Sequence, residues 1–154
     1  MSEPAHIKSF HDLVAVLKES RTEIQTDEAE QALVLSVEEP DLGGKLIVRW
    51  EKTFPFVHII QPMLSDVPAD RAAPVALAIC RLNNVAKFAG LGYDESARVI
   101  YYRITLVTLR DGIRSDLLNG MLHGAVANAK ELLGAMKAVV SGAAPEGVVA
   151  LAGA

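Results

Sequence analysis

The chain has 154 residues, 51% hydrophobic and 22% charged, which excludes a disordered chain and fits one domain with a substantial core. Its formal net charge is -4, and its 15 Lys and Arg are scattered singly, which excludes the basic stripe of a nucleic-acid binder and disfavours anionic membrane surfaces. Cys80 is the one cysteine, so neither an intramolecular disulfide nor a thiolate metal cage can form. Met1 to His6 lacks a basic-then-apolar leader pattern, and no apolar run nears the roughly 20 residues of a membrane span. The expectation is a soluble cytoplasmic protein.

Ser9 to Ser20 reads as a helix. Ser9 can cap it, Asp12 completes a capping box, and Phe10, Leu13, Val14 and Leu17 share one face. The polar stretch from Arg21 to Glu30 has room for a short strand at Glu23–Thr26. Gln31 to Glu38 alternates Leu33, Leu35 and Val37 on one face, as a strand does. A Pro-Asp-Leu-Gly-Gly turn at 40–44 leads into a second strand, Lys45 to Glu51, whose Leu46, Val48 and Trp50 face opposite Ile47 and Arg49. Phe54 to Gln61 is a third strand. Pro55 and Pro62 cannot donate ladder hydrogen bonds, which pushes it to an edge or limits its length.

Pro74 to Asn84 reads as the firm part of a second helix, with Val75, Ile79 and Leu82 as its core face and Ala78 and Cys80 beside them. Phe88–Tyr93 and Val99–Thr108 form a hairpin around the turn Asp94–Ala97. Its second strand is apolar on both faces, so it is central or its outer face meets a partner. Ser115 and Asp116 open the most strongly periodic helix, which runs to Val140. Ala144 to Ala154 reads as a frayed tail. The fold class is α+β: an antiparallel sheet of about five strands flanked by three helices, in the order α-β-β-β-α-β-β-α. One domain spans 5–141, with a flexible tail at 142–154.

Motifs that carry chemistry are missing. Gly43-Gly44 and Gly90-Leu91-Gly92 lack the context of a phosphate loop. His6, His11, His58 and His123 show no metal-type spacing, and the acidic clusters lack calcium-loop spacing. No serine sits in a nucleophile elbow. Cys80 reads as a small packed hydrophobe. No cofactor or metal is expected. His58 stands out because it shares an apolar strand face with Phe56 and Ile60. Arg103 stands out because it lies between apolar neighbours on the face of Tyr101. Its stem can cover apolar surface, or its head can anchor an interface.

The stretch Ala76-Leu77-Ala78-Ile79-Cys80-Arg81-Leu82-Asn83-Asn84, then Phe88, then Val99-Ile100-Tyr101-Tyr102-Arg103-Ile104-Thr105-Leu106, resembles the YbjN-like domain, a family proposed to regulate bacterial sensory transduction. The shared motif is a Leu-Asn-x-x-x-Lys-Phe stretch with an Arg in a following strand. The resemblance implies a fold similar to type III secretion chaperones, homodimerisation, binding of extended segments of another protein, no enzyme activity and no cofactor. It does not by itself establish a secretion role.

Two functions follow as expectations. The first is a non-enzymatic, chaperone-like or regulatory homodimer whose protein-binding or dimer surface comprises Ile47, Arg49, Val99, Tyr101 and Arg103. Bound segments would add to a sheet edge or lie in apolar grooves. The second is a small-molecule binder or enzyme using a pocket near His58.

Overall fold

A computed structural model describes residues 3–21 and 23–153. Met1, Ser2, Thr22 and Ala154 lie outside these, so part of the expected N-terminus and the last tail residue go undescribed. The chain opens with β1 (His6–Ile7) and α1 (Phe10–Ser20), followed by β2 (Ile24–Asp27), β3 (Ala32–Ser36), β4 (Lys45–Trp50) and β5 (Phe56–Leu64). Then come α2 (Ala72–Val85), β6 (Leu91–Asp94), β7 (Val99–Val107), β8 (Ile113–Arg114), α3 (Ser115–Val140) and α4 (Val148–Leu151).

The main sheet has six strands in the order β2-β3-β4-β5-β7-β6, each antiparallel to its neighbours. Alternation along each strand sends Leu33, Leu35, Leu46, Val48, Val57, Ile59, Ile100 and Tyr102 to one face, where all are fully buried. The same cluster takes in Leu13 and Leu17 of α1, Val75 and Leu82 of α2, and Leu118, Leu122 and Met136 of α3. The helices therefore cover one face of the sheet, and the other face is left open.

Helix α1 begins as its capping box requires. Ser9 Oγ accepts from the Asp12 amide at 3.1 Å, and Asp12 Oδ2 accepts from the Lys8 amide at 2.9 Å. Helix α2 starts two residues ahead of the Pro74 expected from the sequence. The helix already begins at Ala72, so Pro74 lies in the first turn, where a missing N–H leaves no bond unmade.

The strand and helix counts differ from the expectation of about five and three. His6–Ile7 pairs with Ile113–Arg114 as a separate two-stranded sheet, too short to show any periodicity. The fourth helix lies in the expected tail. A 3-10 turn at Pro145–Gly147 leads into α4, and Val148 is fully buried against the core. Arg71 helps hold this end: its Nη2 donates to Val139 O (2.6 Å), in the last turn of α3, and to Ala143 O (3.0 Å), just beyond it. An Ala- and Gly-rich segment looks featureless in sequence because its order comes from one buried valine and a distant arginine.

Strand β5 is interior, between β4 and β7, so of the two outcomes its prolines allowed it is not at an edge. Pro55 lies before the strand. Pro62 pairs with Tyr101 at a register irregularity, and the ladder with β4 has already ended at Ile47–Ile60. Buried Gln61 supplies a donor there instead, from Nε2 to Lys45 O at 2.9 Å. Cys80 is exposed, not packed. It falls just off the stripe of Val75, Ala78, Ile79 and Leu82 that meets the core.

Candidate protein-binding surface

The open face of the sheet is built from the residues alternate to the core. Val34 pairs with Ile47, Ile47 with Ile60, and Ile60 with Arg103, so one row crosses four strands. Cross-strand neighbours of this kind touch directly on one face. The flanking row is Ala32, Arg49, His58 and Thr105. On the other side Pro62 pairs with Tyr101, and Tyr101 with Gly92. Of the residues singled out in sequence, Ile47, Tyr101 and Arg103 thus fall in adjoining rows, and Arg49 stands one row from Ile47. Val99 lies at the far end of β7, opposite Asp94. Ile47, Val99 and Tyr101 are half-buried, while Arg49 and Arg103 are exposed.

Arg103 has its guanidinium carbon 6.0 Å from the centre of the Tyr101 ring. Among the described residues no carboxylate pairs with it, whereas Arg49 lies 4.0 Å from Glu30. The Tyr101 ring lies across Gly92: a Cβ there would come 2.6 Å from the ring carbon Cε2. At Gly90 a Cβ would meet Arg103 O at 2.7 Å. These two glycines permit close approach of β6 to β7.

His58 sits in a polar chain on this face. Its Nδ1 is 2.8 Å from Thr105 Oγ1, and its Nε2 is 3.4 Å from Glu51 Oε1. With the proton on Nε2, Glu51 accepts and the Thr105 hydroxyl donates to Nδ1. Burial, followed by the nearby Arg103 cation, lowers the His58 pKa below the usual histidine range, against the opposing pull of Glu51. A cleft of about 680 Å³ lies on the helix side, beside Val37 and Lys130, and another of about 540 Å³ runs along β7 beside Phe88. Neither includes His58. No group of three His, Cys, Asp or Glu side chains is placed to hold a metal among the described residues. No described helix is long and apolar enough to cross a membrane.

The structure adds residues that sequence reasoning passed over. Asn83, to which the sequence assigned no bonding role, donates through Nδ2 to Leu91 O (3.0 Å) and accepts through Oδ1 from the amides of Gly90 (3.2 Å) and Leu91 (3.1 Å). Tyr102 donates its hydroxyl to Phe88 O (2.9 Å) and accepts from Asn128 Nδ2 (3.2 Å). Burial raises the Tyr102 pKa. The asparagine of the Leu-Asn-x-x-x-Lys-Phe stretch therefore pins the segment that leads into β6. A hydrogen-bonding residue one turn from a helix end, followed by a tight glycine pair, was the available signal.

No family model matches this sequence. No curated protein matches it either. Solved structures do. YbjN from E. coli, described as a candidate transcription regulator, superposes with a TM-score of 0.64 at 11% identity, over 87% of this chain and 94% of that one. A chain of the HopA1–SchA chaperone–effector complex gives 0.52 at 15% identity, over 79% and 91%. An uncharacterized protein from Methanothermobacter thermautotrophicus gives 0.51 at 14%, over 86% and 98%. At such identities the likeness is one of fold, and the fold is the YbjN-like, chaperone-like α+β arrangement that the sequence resemblance implied.

Proposed function

We propose that this chain is a non-enzymatic protein-binding module, chaperone-like or regulatory, that acts as a homodimer in the cytoplasm. The observation that carries the reading is the apolar row Val34–Ile47–Ile60, which ends at Arg103 on a sheet face that no described helix covers. Apolar area flanked by an aromatic ring and an arginine is the composition of an interface core. Arg49, Val99 and Tyr101 extend this surface. Its neighbours in fold, a candidate regulator and a chain of a chaperone–effector complex, agree with the reading. Light scattering at micromolar concentration should give twice the 16.5 kDa chain mass. Ile47→Asp and Ile60→Asp should halve that mass or abolish capture of co-purifying protein. A strict monomer that captures nothing would end the proposal.

A second reading rests on the Glu51–His58–Thr105 chain. A carboxylate, a neutral imidazole and a hydroxyl in hydrogen-bond reach are the parts of a nucleophilic relay. Against it stands the site's position on an open sheet face: Thr105 borders the cleft along β7, but neither His58 nor Glu51 lines either of the two larger clefts. The discriminating measurement is hydrolysis of p-nitrophenyl acetate by the native chain, Thr105→Ala and His58→Gln. Equal rates for all three would sink the enzyme.

A further inference from the structure

Strand β7 spans nine residues and its neighbour β6 spans four. Strand β6 pairs with it from Val99 to Tyr102, and one further bond runs from the Arg103 amide to Gly90 O at 2.8 Å. The chain ahead of Gly90 is held elsewhere: Asn83 Oδ1 accepts from the Gly90 amide, and the Tyr102 hydroxyl donates to Phe88 O. The stretch of β7 from Ile104 to Leu106 is therefore left half-covered. A cleft of about 540 Å³ runs beside it, lined by Phe88 and Met121 as well as Ile104 and Leu106. Ile100 and Tyr102, alongside β6, are fully buried, whereas Ile104 and Leu106, on the same face of the same strand, are half-buried. Phe88 is 63% exposed.

Charge separates this cleft from others on the surface. Arg103 is the one side chain lining it that is ionised at neutral pH. Among the described residues no carboxylate pairs with Arg103. The cleft of about 680 Å³ carries both signs, and its Lys130 is already paired with Glu39 at 3.0 Å. Another, of about 470 Å³, is lined by both Lys87 and Glu131. A second donor borders the β7 cleft. The Arg103 amide faces β6, so the Thr105 amide, two residues on, faces the same way, where β6 no longer runs. A guanidinium without an acid and a backbone N–H, set beside apolar side chains, select an anion with an apolar body. The planar fork of the guanidinium matches a carboxylate.

We propose that this cleft binds a small apolar carboxylic acid, its carboxylate held by Arg103 and the Thr105 amide and its apolar body lying against Phe88, Ile104, Leu106 and Met121. The cleft's volume of about 540 Å³ falls within the roughly 300–1,000 Å³ of small-molecule sites. This site goes beyond the protein-binding reading and does not depend on it. The two share Arg103, so a bound acid neutralises the cation at the end of the Val34–Ile47–Ile60 row.

The test is NMR titration of the full-length protein with octanoate and with 2-naphthoate, each compared with its neutral carboxamide. At least one acid should shift the Thr105 amide, the Phe88 ring and the Met121 methyl group. Its carboxamide should bind about tenfold more weakly, the scale of a lost charge-assisted bond, and Arg103→Gln should weaken the acid by about the same factor. Arg103 is exposed, so this variant should fold as the native chain does. His58 gives a second readout. Arg103 helps to hold the His58 pKa below the usual histidine range, while its other charged neighbours, Glu51 and Arg49, do not line the cleft. Acid binding should therefore move the His58 titration midpoint upward in the native chain and leave it in place in Arg103→Gln. The site is overturned by absence of shifts at the cleft with both acids at millimolar concentration, by equal binding of acid and carboxamide, or by an unmoved His58 midpoint. Shifts at the cleft that only an extended acidic peptide produces would also overturn it, and assign the cleft to a protein partner. None of these outcomes removes the protein-binding reading, which the mass in solution and the Ile47→Asp and Ile60→Asp variants decide separately.

Discussion

Asn83 brackets Leu91: one side chain donates to the Leu91 carbonyl at 3.0 Å and accepts from the Leu91 amide at 3.1 Å, joining the last turn of α2 to the first residue of β6. A backbone strand would make the same pair of bonds, so the carboxamide stands in for a neighbouring strand at this point.

Asn83→Ala leaves the Leu91 carbonyl and two amides without partners. The expected loss is about 1–3 kcal/mol, the usual cost of unsatisfied buried polar groups. Asn83→Asp still accepts from both amides but sets a carboxylate beside the Leu91 carbonyl, and it should also destabilise. Urea unfolding checks both, with a lower midpoint and an unchanged slope. An unaltered midpoint for Asn83→Ala would show that the bracket contributes nothing.

Gly92→Val would drive a side chain into the Tyr101 ring. We expect a loss of roughly 1–3 kcal/mol, typical of overpacking. Tyr101→Ala in the same chain removes the obstacle, so the double variant should lose less than the sum of the two single changes. Strict additivity in thermal unfolding would mean that the ring does not lie across the glycine.

His58 has a folded-state pKa below its ordinary value of 6.5, owing first to burial and then to Arg103. The unfolded chain therefore binds a proton first as pH falls. Protons bound in the unfolded state exceed those in the folded state between 6.5 and the lower folded value, so stability falls with falling pH across that window and is unaffected by this group above it. The His58 NMR titration midpoint should lie below 6.5, and Arg103→Gln should move it upward. His58→Gln should flatten the pH dependence of stability in that window. A midpoint at or above 6.5 would contradict the assignment.

Val148 anchors α4, and its full burial is worth about 2 kcal/mol. Val148→Asp should undock the segment from 145 to 151, and limited proteolysis should then trim it while sparing the native chain. Arg71→Ala removes the donors to Val139 O and Ala143 O and should speed amide exchange in the same segment. Lysine at position 71 should restore little, since it lacks the planar fork that reaches both carbonyls.

Much of this was legible in the residues themselves. Ser9 and Asp12 announced the start of α1, and the alternation in Lys45–Trp50 and Val99–Val107 assigned Ile47, Arg49, Tyr101 and Arg103 to one face and Leu46, Val48, Ile100 and Tyr102 to the other. Those signals are local, because capping and strand alternation act within a few residues. Which strands became neighbours was decided only by the tertiary structure. Pro62 allowed an edge position, yet β5 is interior, because the β4 ladder ends before Pro62 and Gln61 supplies a donor. The order of the tail, the exposure of Cys80 and the half-covered edge of β7 also depend on partners far away in sequence. No period in the sequence records that Asn83 turns residues 88–91 away from Thr105.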